Sequence, residues 1–160
     1  MKKIWIFTVV FLLSSQLIGQ TKNQLDELII SSLNSFITES NKPVKGVINS
    51  DTTHYYVRMD GLPLNFPYNS LKNVTFISLE NIEGLPNSFK KQLNKGKRIL
   101  FVNILLTDNQ FIITVFNNSV KRIKKNRINI KVGFHWGIYT YEYSCKKQEW
   151  RLKETKYGGI

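Results

Sequence analysis

The sequence has 160 residues, with 23 basic against 11 acidic side chains for a formal charge of +12, two His, one Cys and 42% apolar content. Ten Phe, seven Tyr and three Trp are enough to fill one core, which excludes general disorder. A lone Cys excludes an intrachain disulfide framework and any multi-thiolate zinc site within one chain.

Residues 1–19 read as a secretory signal peptide. Lys2 and Lys3 make a positive n-region, Ile4 to Leu13 is an apolar run broken only by Thr8, and Ser14 to Gly19 form a polar, small-residue exit. That run falls short of the roughly 20 apolar residues that span a bilayer, and no Cys follows it to carry a lipid anchor. Cleavage after Gly19 leaves 20–160 as the expected single domain, exported to the periplasm or secreted, with no transmembrane segment. Losing Lys2 and Lys3 lowers the basic count to 21 against 11 acids, a charge of +10.

Leu25, Leu28, Ile29, Leu33, Phe36 and Ile37 recur at spacings of three and four, which predicts one amphipathic helix over 22–39. Asp26 and Glu27 lie in its early turns, where carboxylates suit the helix dipole. Asn41-Lys42-Pro43 ends it, because the residue before Pro is pushed out of the helical region. Residues 44–96 are irregular. His54 to Met59 and Val74 to Leu79 read as short strands, Asp60-Gly61-Leu62-Pro63 as a turn, and Pro86 to Leu93 as one or two helical turns closed by Asn94 and Gly96.

From Lys97 the pattern is that of an antiparallel meander. Arg98–Thr107 and Gln110–Asn117 flank Asp108-Asn109, a two-residue turn whose members both tolerate positive φ. This pairs Leu106 with Phe111, Ile104 with Ile113 and Val102 with Val115 on a face expected to be core. The other face, with Phe101, Leu105, Ile112 and Phe116, is also too apolar for water and needs a helix or a partner chain over it. A second hairpin is expected around a loop at His135-Trp136-Gly137-Ile138, pairing 134 with 139, 132 with 141, 130 with 143 and 128 with 145. Its large apolar residues then share one face, and Lys131 meets Glu142 on the other. A loop at 146–149 would set Trp150 opposite Cys145 and Leu152 opposite Tyr143. The outcome is an α+β fold, an N-terminal amphipathic helix packed on a curved antiparallel sheet of four to six strands. In outline alone this resembles cystatin-like and nuclear-transport-factor-like cones, and a fold by itself does not give a function.

The chemistry is less legible. No nucleophile elbow, Ser-x-x-Lys, zinc-protease or phosphate-loop motif occurs. Cys145 pairs in the expected register with core aromatics and is read as a buried, inert thiol rather than a nucleophile served by His54 or His135. Two separated His and unclustered carboxylates imply no metal site and no cofactor. The basic residues remain. Lys121, Arg122, Lys124, Lys125 and Arg127 fill the connection between the two hairpins, within a stretch, 109–141, that has no Asp or Glu. Beside it stands the loop of His135 and Trp136, an aromatic type favoured at binding hot spots. These seven residues are the candidate contact surface of a non-enzymatic binding domain for an anionic envelope polymer, a lipid headgroup or another protein. Nucleic acid is disfavoured because the Tyr139, Tyr141 and Tyr143 stripe is expected to point inward and offers no base-stacking platform. An alternative is a small-ligand or enzymatic pocket between helix and sheet, lined by His54, Tyr56 and Glu80. A second alternative is a homo-oligomer formed through Phe101, Leu105, Ile112 and Phe116.

Overall fold

The structure, a computed structural model, describes residues 24–42 and 54–159, so the signal-peptide reading of 1–19 lies outside the described residues. Helix α1 runs through 24–40. It is followed by strands β1 (Tyr55–Arg58) and β2 (Val74–Ile77), a 3-10 turn at Ile82–Gly84 and helix α2 (Asn87–Lys95). Strands β3 (Lys97–Thr107), β4 (Gln110–Lys124), β5 (Arg127–Lys131), β6 (Trp136–Ser144) and β7 (Glu149–Gly158) complete the chain. The fold is α+β, with an open, curved, seven-stranded sheet in the order β2-β1-β3-β4-β6-β7 and β5 paired to β4. Seven strands exceed the four to six expected. The sheet is also mixed rather than antiparallel throughout, because β1 runs parallel to both β2 and β3.

Helix α1 forms where the apolar stripe predicts it. Leu28, Ile29, Leu33 and Phe36 are buried against Tyr55, Val57, Leu100, Ile113, Val115, Tyr139 and Tyr141 on one face of the sheet. The opposite face is covered by α2, whose Phe89 and Leu93 pack on Ile77, Leu79, Ile99, Phe101 and Val120. Pro86 contributes the N-cap carbonyl, accepting from the backbone N of Lys90 at 3.0 Å, and Gly96 closes the helix at φ 95°. The second apolar face of the β3–β4 hairpin is thus covered within the chain. Phe101 is buried and Phe116 packs beside it, which takes two of the four residues of the homo-oligomer reading out of the surface and leaves Leu105 exposed and Ile112 half-buried.

The β3–β4 register matches the expectation, with Leu106 opposite Phe111, Ile104 opposite Ile113 and Val102 opposite Val115. Leu106 is nevertheless 60% exposed instead of core, while its partner Phe111 packs on Trp150.

The second hairpin does not form. Strand β4 continues for 15 residues and turns at Lys125-Asn126 into β5, with Ser119 opposite Lys131, Val120 opposite Ile130 and Arg122 opposite Ile128. The first half of β4 pairs instead with β6, from Phe116 opposite Trp136 to Gln110 opposite Glu142. Strands β5 and β6 therefore lie end to end along one edge of β4, joined by a step at 132–135. Asn118 Oδ1 accepts from the Gly133 amide at 2.9 Å, and the Asn117 amide donates to the His135 carbonyl at 3.0 Å. The backbones are so close there that a Cβ on Gly133 would stand 1.5 Å from the Asn117 carbonyl oxygen. Trp136 consequently begins a strand instead of occupying a loop, and its ring lies over Gly158.

Further corrections follow from this pairing. Tyr139 and Tyr141 are buried, but Ile130, Val132, Phe134 and Tyr143 are exposed. Lys131 faces Ser119, and Glu142 pairs with Lys153 at 3.0 Å. Trp150 stands opposite Tyr143 and Leu152 opposite Tyr141, two residues from the expected register. Cys145 falls at the start of the β6–β7 turn and is exposed.

Candidate functional site

Two regions collect the chemistry: a lobe built from residues 119–124 of β4, β5 and residues 132–134, and a pocket where α1 ends over the start of β3.

The lobe holds the basic run. Arg122 is engaged within the fold, with Nη2 donating to Glu83 Oε1 at 2.9 Å and to the Lys125 carbonyl at 3.1 Å, so it clamps the turn to the 3-10 segment. Lys121, Lys124, Lys125, Arg127 and Lys131 have no carboxylate within ion-pair distance among the described residues. Elsewhere on the sheet the exposed cations Arg151, Lys153 and Lys156 are each paired with a Glu. Ile123, Ile130, Val132 and Phe134 of the same lobe are large apolar residues left in the open, Val132 at 74% and Phe134 at 84% exposure. No motif signalled them: Ile130, Val132 and Phe134 alternate as a buried strand would, and Ile123 lies inside the basic run.

His135 and Trp136 do not join that lobe as one surface. Trp136 is half-buried on Gly158. His135 belongs to the pocket.

The pocket has a volume of about 310 Å³ and is lined by Ser40, His54, Tyr55, Tyr56, Lys97, Arg98, Leu100, Asn117 and His135. Each wall follows from local structure. The end of α1 is tied to β1 by Tyr55, whose hydroxyl donates to Asn41 Oδ1 at 2.6 Å. His135, placed by the step, stacks on Phe36 with ring centroids 4.9 Å apart and has Nδ1 3.4 Å from Ser40 Oγ. Burial, reinforced by the Arg98 guanidinium, pushes its pKa below the ordinary histidine value against the opposing pull of Glu39. His54 Nε2 is 2.8 Å from Thr75 Oγ1, and its ring meets Tyr56 edge-on at 5.1 Å. Lys97 Nζ stands 4.8 Å over the Tyr56 ring, a cation–π arrangement. Asn117 Oδ1 is buried and has no hydrogen-bond partner.

The two histidines, distant in sequence, thus line one cavity. Glu80 does not reach it. It borders a separate open cleft of about 570 Å³ with Arg58, Asp60 and residues 101–104. The buried carboxylate of that cleft is already satisfied, since Asp60 accepts from Ser78 Oγ at 2.6 Å, Leu79 N at 2.8 Å and Arg58 Nε at 3.1 Å. Burial alone would raise the Asp60 pKa, but these bonds and the guanidinium charge hold it below the ordinary carboxylate value.

Cys145, at the far end of the nine-residue β6 from His135, has neither histidine beside it for nucleophile–base chemistry. Among the described residues no group of three metal-ligating side chains occurs, and no helix is long and apolar enough to cross a membrane. In comparisons with family models, curated proteins and solved structures, nothing matches the chain.

Proposed function

We propose that this is a non-enzymatic binding protein that docks on an anionic phospholipid surface through the β4–β5 lobe, acting outside the cytoplasm after removal of the 1–19 leader. One observation carries the reading: the lobe presents five basic side chains without carboxylate partners together with four unpacked apolar ones. Basic residues alone would suit any polyanion. Exposed Val132 and Phe134 gain nothing from a hydrated polymer, whereas a bilayer offers headgroups for the lysines and an acyl boundary for the apolar residues. Each Lys or Arg near an anionic leaflet contributes about 1 kcal/mol, screened by salt. Burying one Phe side chain adds roughly 2 kcal/mol.

Flotation with vesicles tests this. The protein is expected to float with phosphatidylglycerol-containing vesicles and not with phosphatidylcholine alone, to be released by salt, and to lose at least about tenfold in affinity in Lys124→Glu/Lys125→Glu. Phe134→Ala is expected to weaken binding without changing its salt dependence. Binding to the anionic vesicles that is indifferent to Phe134→Ala would leave only a polyanion surface and overturn the lipid reading. Failure to float with either vesicle would overturn docking on lipid altogether.

A further inference from the structure

We infer that the pocket between the end of α1 and the start of β3 is a separate binding site for a small oxyanion, a carboxylate or a phosphate. Its lining joins Lys97, Arg98, His54 and His135 and includes no Asp or Glu. The nearest carboxylate on α1, Glu39, is engaged by Lys42 at 2.6 Å. An anion entering here meets the Arg98 guanidinium and the histidine rings with no carboxylate in the lining, in a cavity at the small end of ligand-pocket volumes. An oxyanion lying against the Arg98 guanidinium has Ser40, Tyr55 and His135 around it on the helix side, while His54, Tyr56 and Lys97 close the pocket on the β1 side.

The site shares no residue with the lipid-docking lobe, so its test is independent of that reading. Glycerol 3-phosphate and glycolate serve as probes for the phosphate and carboxylate arms, with glycerol as the uncharged control, read by calorimetry and by the ring resonances of His54 and His135. At least one charged probe is expected to bind with a Kd below about 1 mM and to shift both histidines, with glycerol at least about tenfold weaker. Arg98→Gln is expected to reduce that affinity about tenfold or more. Glycerol binding as tightly as its phosphate, no histidine shift with either charged probe, or full affinity in Arg98→Gln would each overturn the assignment.

Discussion

Ser32 Oγ lies 2.9 Å from Tyr141 Oη, deep between α1 and β6, and both hydroxyls reach the Leu28 carbonyl, at 2.8 and 3.3 Å. Ser32 is fully buried and Tyr141 3% exposed, so these polar atoms would be costly if unpaired. With Ser32 donating to Leu28, the Tyr141 hydroxyl donates to Ser32 and locks the helix over one position of the sheet. Tyr141→Phe removes that donor and leaves Ser32 still bonded. It is expected to destabilise the fold by about 1 kcal/mol in denaturant titration. Ser32→Ala is expected to change less, because Tyr141 retains the Leu28 carbonyl.

The step at 132–135 is held by an approach that only Gly allows. Gly133→Ala places its Cβ 1.5 Å from the Asn117 carbonyl oxygen, a backbone atom that cannot rotate away. The expected loss is on the order of 2–3 kcal/mol, from forced displacement of β5 against β4. Gly61, at φ +97° with nothing within 4 Å of its would-be Cβ, is the control. Gly61→Ala suffers only backbone strain and is expected to lose about 1 kcal/mol. Equal effects in thermal unfolding would contradict the crowding at the step.

Histidine titration gives a pH signature. Burial and the Arg98 charge lower the His135 pKa from 6.5, with Glu39 opposing them. Between that lowered value and 6.5 the unfolded chain binds more protons than the folded one, so stability falls as pH falls through this window and levels off below it. The wild-type minus His135→Gln stability difference is therefore expected to decline from pH 7 downward. A difference that stays flat or rises would mean that His135 is not held neutral against Phe36 and Arg98.

Much of the fold was legible from local pattern. The Leu25–Ile37 stripe specified α1, Pro86 and Gly96 bracketed α2, and Asp108-Asn109 set the β3–β4 register to the residue. The pairing of β5 and β6 side by side with β4 was not legible. Ile128, Ile130, Val132 and Phe134 alternate as a core strand would, and alternation reports which side chains share a face without naming the neighbouring strand. The fate of Cys145 was lost in the same way, because its burial depended on a hairpin partner that β4 displaced. The pocket was half legible: His54 and Tyr56 line it as the helix–sheet alternative supposed, but Glu80 lies in a different cleft. Asn117 carried no signal at all, since an orphaned acceptor becomes visible only when its surroundings are packed.

The charge excess and its location were determined by sequence alone, because a segment without acids is acid-free in any fold. So were the two helices and the turn at 108–109, where short-range sterics and periodicity decide the outcome. Tertiary structure alone decided what the basic segment became. Competition for the edge of β4 made it a hairpin tip with apolar residues stranded beside it, and set His135, in the step between β5 and β6, on the same cavity as His54. Both results depend on contacts between residues far apart in the chain, which no local spacing encodes.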